Sequence, residues 1–217
     1  MPRRPALYAV ITADIIGSRH IPGFRQARDR KLDPLSRRHL AQKLILSGYA
    51  ITAWDEFEGL LLPSCVPAVL LDLRRQFYPF RLWIGIGIGA VSEPNRKPIN
   101  RFAGGEAFER ARRALNEIKS RRARSRRLTA FLTPNPEFDL VANTMYHLHD
   151  TLLQGISPRQ WETINAHLST RSQERTARKL DLDQSTVSRN LRRGFYLQVD
   201  ETRTTMQRLL EKTFARS

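Results

Sequence analysis

Residues 84–89 alternate isoleucine with glycine, and this pattern constrains the fold more than any other feature of the chain. Side chains of a β-strand point alternately to its two faces, so the three isoleucines share one face and the three glycines share the other. A face without side chains lets another element approach the backbone closely. We expect a helix to pack there, and a ligand or a second subunit is the alternative. The spacing is not the dinucleotide-binding G-x-G-x-x-G pattern.

The glycine-rich strand, predicted over residues 80–91, belongs to a series of strands and helices. The apolar run 7–13 predicts a buried strand that ends at Asp14. The other predicted elements are a helix over 24–46 that Pro34 kinks or divides, strands over 49–54 and 57–62 that meet at Asp55–Glu56, helices over 65–77 and 104–119, and a strand over 128–132. The order β-α-β-β-α-β-α-β predicts an α/β sandwich related to the ferredoxin-like palm. No strand pattern follows Asn135, so we predict an α/β domain over 1–134 and an all-α domain over 135–217.

The chain carries a large excess of positive charge. Its 37 Lys and Arg residues outnumber 21 Asp and Glu, and the net charge of +16 predicts a polyanionic partner such as DNA, RNA or nucleotide phosphates. The densest basic run, from Arg110 to Arg127, is either a solvated face or an extension of a nucleic-acid surface. The single cysteine, Cys65, excludes a disulfide framework and a Cys-based zinc site, which fits a cytoplasmic protein. No apolar run is long enough to span a bilayer, so we expect no membrane insertion.

Two acidic positions suggest a metal site in the first domain. Asp14 ends the first predicted strand, and Asp55 lies at the tip of the predicted hairpin beside Glu56. In a palm-like sheet these positions are neighbours, and carboxylate oxygens are ligands that hard divalent cations prefer. The turn that follows Asp14 offers backbone N–H groups and Arg19 to phosphates. The ordinary alternative is that Asp14 caps the turn and Asp55 serves the hairpin.

Four segments resemble the SatD family: TADIIGSR at 12–19, WDEFEGLL at 54–61, RLWIGIGIGAV at 81–91 and GGEAFERARRAL at 104–115. The resemblance covers nearly the whole chain. It implies an N-terminal domain similar to the class III nucleotidyl cyclase and GGDEF palm, and a C-terminal helix-turn-helix.

The resemblance also implies roles for particular residues. Asp14 and Asp55 take the places of the two metal-binding aspartates, which implies Mg²⁺ or Mn²⁺. Gly17, Ser18 and Arg19 fall in the phosphate-binding turn, and Arg112 falls near the arginine that neutralises the transition state. The sequence departs from the cyclase pattern at two positions. Phe108 replaces an asparagine, and Trp54 replaces the glycine before the second aspartate.

Residues 157–196 have the pattern of two helices joined by a short turn. Ser157 and Pro158 predict the start of a helix that precedes the motif. The segments SQERTARKL and QSTVSRNLRRG predict the two helices of the motif, with a turn at 181–183 between them. Gly194 predicts the end of the second of these helices. The spacing of small, polar and apolar residues in these two segments resembles that in the helix-turn-helix of sigma-factor-like and response-regulator-like domains. The predicted DNA-facing residues of the second helix are Gln184, Ser185, Thr186, Ser188, Arg189, Asn190, Arg192 and Arg193. The alternative is a helical bundle whose polar face meets only solvent.

Three functions fit these features. The first is a cytoplasmic DNA-binding regulator whose cyclase-like domain senses a nucleotide or mediates dimerisation. The second is a metal-dependent nucleotidyl cyclase or nucleotidyltransferase that makes a signalling nucleotide. The third is a scaffold with a degenerate palm. The missing asparagine and the intact second helix of the motif favour the regulator. Cyclase-like palms build their site across two subunits, so we also expect a homodimer.

Overall fold

The computed structural model describes residues 6–92, 104–120 and 127–214, which form a mixed α/β structure. The strands are β1 (Tyr8–Ile15), β2 (Ala50–Ile51), β3 (Glu56–Leu61), β4 (Leu82–Gly89) and β5 (Thr129–Leu132). The helices are α1 (Phe24–Ala41), α2 (Val66–Phe77), α3 (Glu106–Ser120), α4 (Pro136–Gln154), α5 (Pro158–Thr170), α6 (Gln173–Leu180), α7 (Gln184–Arg193) and α8 (Tyr196–Phe214). The strands form one five-stranded sheet in the order β2-β3-β1-β4-β5. β1 runs antiparallel to β3 and β4, and β4 runs parallel to β5.

Two predicted elements, a helix and a strand, differ clearly from the structure. Helix α1 is continuous through Pro34, because the buried residues Leu32 and Leu35 on either side hold it against the core. It ends at Ala41 rather than near residue 46. The strand predicted over 49–54 shortens to Ala50–Ile51, because the next residues turn and their N–H groups bond to the carbonyl of Glu56.

The glycine face of β4 carries helix α3, as the sequence predicted. A Cβ atom on Gly85 would lie 2.2 Å from the carbonyl oxygen of Ala111, and one on Gly87 would lie 2.1 Å from that of Ala107. These separations leave no space for any side chain. The helix therefore occupies this face, which excludes the alternative of a ligand or a second subunit lying directly on these glycines.

The isoleucine face of β4 lies in the main core. Ile84, Ile86 and Ile88 are fully buried among residues of α1 and α2. Helices α4 and α8 close the same core with Phe138, Ala142, Tyr146, Met206, Leu210 and Phe214. This core crosses the predicted domain boundary at residues 134–135, and the division into two domains stays a prediction.

A buried ionic network ties α4 to the sheet. The Arg74 guanidinium of α2 donates to the carbonyl oxygens of Leu82 and Leu128 and to Thr129 Oγ1. It also lies 3.3 Å from Asp150 Oδ1 of α4, and Asp150 Oδ2 accepts from the Leu128 N–H at 3.2 Å. Each buried charge thus has partners, which offsets the cost of removing it from water.

A smaller core holds α5, α6 and α7 together. It contains Trp161, Ile164, Ala177, Val187 and Leu191, with Val199 of α8 and Leu71 of α2 at its edge. Helix α5 begins with the predicted Ser157 cap, which forms a reciprocal capping box with Gln160. None of the described helices is long and apolar enough to cross a membrane.

We predict that Gly87→Ala destabilises the protein by roughly 3 kcal/mol or more, because the backbone of α3 cannot yield to the added methyl group. Urea unfolding followed by circular dichroism measures the loss. Gly155→Ala is the matched control: its φ of −83° suits any residue, and the nearest atom to the new Cβ lies 3.5 Å away. Similar free energies of unfolding for the two variants would contradict the close packing.

Candidate functional site

Asp14 lies on the sheet face that α3 covers. It is buried within β1, between Glu56 of β3 and Trp83 of β4, rather than beyond the strand end. The ammonium Nζ of Lys119, in the last turn of α3, donates to Asp14 Oδ2. Burial raises the pKa of Asp14, Lys119 opposes this shift, and the charges of Asp55 and Glu56 add to it. Asp14 is therefore a buried carboxylate with two acidic neighbours, and Lys119 is its own ion-pair partner.

Asp55 lies beside Asp14, at the hairpin tip where the sequence placed it. Its carbonyl oxygen accepts from the Ile15 N–H at 3.1 Å, which joins the tip to the end of β1. Its carboxylate Oδ2 accepts from Ser18 Oγ at 2.5 Å. The Asp55 side chain therefore connects the hairpin to the turn after β1, which contains the predicted phosphate-binding residues.

The turn after β1 leaves open space at its first residue. Gly17 adopts a left-handed conformation with φ of 75°, and no atom lies within 4 Å of the position of a Cβ. Gly17 and Arg19 are exposed, whereas Ser18 is buried and donates to Asp55. Gly17 and Arg19 thus face solvent at the end of β1, while Ser18 anchors the turn.

The donor atoms around Asp14 partly fit a divalent cation. Carboxylate oxygens are the ligands that Mg²⁺ and Mn²⁺ prefer. Within the described residues, however, no three His, Cys, Asp or Glu side chains lie close enough together to hold a metal ion. In addition, Lys119 binds one Asp14 oxygen and Ser18 binds one Asp55 oxygen. The oxygen chemistry is suitable, but a cation could take Asp14 Oδ2 only after Lys119 has moved.

Arg112 lies on the same helix face as Lys119 but contacts a different acid. Its Nη2 is 3.1 Å from Oε1 of Glu58, a buried residue of β3. The same oxygen accepts from the hydroxyl of Thr12 at 3.1 Å. The structure therefore brings Arg112 to the α3 face of the sheet and gives its guanidinium an acidic partner there.

Sequence reasoning missed Lys119, Glu58 and Thr12. Thr12 and Asp14 are polar residues at period two in an otherwise apolar strand, and Glu58 is an acid inside another apolar run. These exceptions were detectable, because a polar residue on a buried strand face needs a partner. Lys119 was hidden within a basic stretch that has many equivalent members.

The exposed face of α7 is nearly the predicted one. Gln184, Ser185, Ser188, Arg189, Arg192 and Arg193 are exposed, and Thr186 is half-buried. Asn190 is half-buried as well, and its Nδ2 donates to Thr163 Oγ1 of α5 at 3.0 Å. Asn190 therefore joins the packing of α7 on α5, which makes the face offered to a partner smaller than predicted. The helix ends at Gly194 as expected.

Part of the predicted basic run can be located. Arg110 pairs with Glu106 at 2.9 Å and donates to the carbonyl oxygen of Ile88 at 2.7 Å. Its guanidinium thus helps to attach α3 to β4. Four arginines of the run lie outside the described residues: Arg121, Arg122, Arg124 and Arg126.

A model of the SatD family matches residues 8–210, which is nearly the whole chain. The chain belongs to the SatD family. Among solved structures, a bacterial light-regulated adenylyl cyclase matches with 13% sequence identity and a TM-score of 0.42, over 60% of this chain and 44% of that one. This chain thus spans less than half of the cyclase structure, and the similarity is weak. A comparison with curated proteins found no match.

Two residues of this SatD-family chain that depart from the cyclase pattern have structural contacts. Phe108 packs against the small apolar cluster of Val10 and Leu60 under α3. Trp54 stacks on Phe24 with ring centroids 5.8 Å apart, and the Arg25 guanidinium lies 4.5 Å from its ring centre. Each side chain therefore holds an element, α3 or the hairpin tip, in position.

We predict that Glu58→Ala lowers the free energy of unfolding by roughly 1–3 kcal/mol, because the buried Thr12 hydroxyl loses its acceptor and Arg112 loses its partner. Chemical denaturation measures the change. Glu106→Ala is the control, since it removes a carboxylate paired with Arg110 at the solvent-exposed start of α3 and should cost about 0.5 kcal/mol or less. Equal losses of unfolding free energy in the two variants would show that the Glu58 contacts stabilise the protein no more than an exposed ion pair does.

Proposed function

We propose that this SatD-family protein is a cytoplasmic DNA-binding regulator in which α6 and α7 form a helix-turn-helix. The observation that supports this most directly is the exposed surface of α7. Arg189, Arg192 and Arg193 are exposed, and within residues 6–92, 104–120 and 127–214 no acidic side chain pairs with any of them. Three free guanidinium groups on one ten-residue helix, in a chain of charge +16, suit the phosphates and base edges of DNA.

The contacts of α7 leave this surface available. Val187 and Leu191 are buried on the opposite side, in the core shared with α5 and α6. The turn at 181–183 joins α6 to α7, with Asp181 in a left-handed conformation. Helix α7 can therefore present its N-terminal residues Gln184, Ser185 and Ser188 to base edges, with Arg192 and Arg193 near phosphates.

We propose that the α/β part is a palm-like sensor domain that binds a nucleotide near Asp14, Asp55 and the turn at Gly17, Ser18 and Arg19. A Mg²⁺ or Mn²⁺ ion would accompany the phosphates, with Asp14 and Asp55 as its carboxylate ligands. The exposed turn and the acidic cluster beside it support this proposal. The alternative function, nucleotidyl cyclase activity, has less support, because Arg112 is paired with Glu58 and Phe108 takes part in apolar packing.

We also propose a homodimer. Helix α4 exposes Leu140, Val141 and Leu148 on one side, and residues 140–149 contain no Lys, Arg, Asp or Glu. On a chain of charge +16, an uncharged apolar stripe is where two copies can meet without strong repulsion. Two-fold pairing would offer two α7 helices to half-sites about 34 Å apart, or multiples of that distance.

Gel-shift titrations of the full chain against genomic fragments, at several salt concentrations, test DNA binding. We expect Arg189→Ala to lose about 1–3 kcal/mol of discrimination between fragments, because this side chain can bind a guanine edge. Arg192→Ala should weaken binding to all fragments alike and reduce the salt slope by about one unit. Arg208→Ala, which removes an exposed arginine from α8, is the control and should change neither property. A wild-type protein without preference for any fragment would contradict the proposal.

Light scattering tests the dimer. We expect twice the chain mass of 25.1 kDa for the wild type, and the mass of one chain for Leu148→Glu, which places a charge in the apolar stripe. Thr205→Glu, at an exposed polar position of α8, is the control for added charge. A wild type that stays monomeric with and without DNA would contradict the dimer.

A further inference from the structure

The Lys119–Asp14 ion pair occupies the position that a cation would need. The Lys119 side chain is 36% exposed, whereas that of Asp14 is only 9% exposed. The ammonium therefore lies between solvent and the buried carboxylate. Two further acids, Asp55 and Glu56, act on Asp14 through their charges. Lys119 contacts Asp14 alone, whereas Asp55 accepts from Ser18 and Glu56 accepts from Thr52.

The position of α3 keeps Lys119 within reach of Asp14. The backbone of α3 lies directly against Gly85 and Gly87, so the helix cannot slide or rotate without a clash. The lysine stem, in contrast, has four flexible carbons and a terminal group with three donors. The helix is fixed and only the ammonium can move.

We infer that Lys119 is a ligand-binding residue of the palm-like site. Before ligands bind, its ammonium contacts Asp14 Oδ2 in place of a divalent cation. When cation and nucleotide bind together, the ammonium moves to the phosphates of the nucleotide. This inference rests on the proposed nucleotide site. An ammonium and a divalent cation cannot share the same carboxylate oxygen, so they compete for Asp14. A polyphosphate supplies the negative charge that draws Lys119 away and leaves Asp14 to the metal ion.

This arrangement couples the two ligands. When the metal ion binds alone, it must displace Lys119 into solvent, and the free energy of the Lys119–Asp14 ion pair is lost. When a nucleotide is also present, Lys119 exchanges the carboxylate for a phosphate, and most of that free energy is regained. Metal affinity should therefore rise when nucleotide is bound, and by linkage nucleotide affinity should rise by the same factor when metal is bound.

The test is Mn²⁺ binding to the full chain, measured by electron paramagnetic resonance with and without a non-hydrolysable ATP or GTP analogue. We expect Lys119→Gln to bind Mn²⁺ alone roughly tenfold more tightly than the wild type, because the competing cation is gone. Addition of the analogue should tighten Mn²⁺ binding to the wild type and change it much less in Lys119→Gln. Lys119→Arg keeps the charge and should bind Mn²⁺ as weakly as the wild type.

Arg113→Gln is the matched control, since it removes one positive charge from an exposed position of the same helix. If Lys119→Gln and Arg113→Gln gain the same Mn²⁺ affinity, or neither gains any, the inference is wrong. If Lys119→Gln alone gains affinity but the analogue binds to neither protein, the competition between Lys119 and the cation is supported and the proposed nucleotide sensing has failed. DNA binding by α7 is independent of both outcomes.

Discussion

The contact between the glycine face of β4 and the backbone of α3 positions the rest of the site. Carbonyl oxygens of α3 lie so close to Gly85 and Gly87 that a methyl group would overlap them. Interiors packed at this density have discrete arrangements rather than a continuum, so the axial position and rotation of the helix are both defined. As a consequence, Arg112 meets Glu58 and Lys119 meets Asp14.

The two candidate functional surfaces differ in how their charges are balanced. Around Asp14 and Glu58 the buried acids are matched by basic side chains of α3, so a ligand there must exchange with an existing ion pair. On α7 the exposed arginines have no acidic partner among the described residues, so an anion can bind them without displacing anything. This contrast fits the proposed function, in which the surface for DNA is always available and the site for a nucleotide responds only to the right combination of ions.

Local periodicity predicted much of the fold. The alternation at 84–89 predicted a strand with a helix packed on one face, and the spacing of apolar residues predicted α6 and α7 with their turn. Contacts distant in sequence were not predictable in this way. Lys119 reaches Asp14 across 105 positions, and nothing in the local pattern distinguishes this lysine from its basic neighbours. For the same reason the sequence did not reveal that α4 and α8 complete the core of the sheet.

The most direct test of this account is nitrogen-15 NMR of the lysine ammonium groups in the full chain. If α3 holds Lys119 on Asp14, the Lys119 ammonium protons should exchange slowly with water, and the nitrogen should show scalar coupling to the Asp14 carboxyl carbon across the hydrogen bond. Lys212, exposed on α8, provides the reference for a free ammonium group. Exchange as fast as that of Lys212, with no coupling to Asp14, would contradict the account.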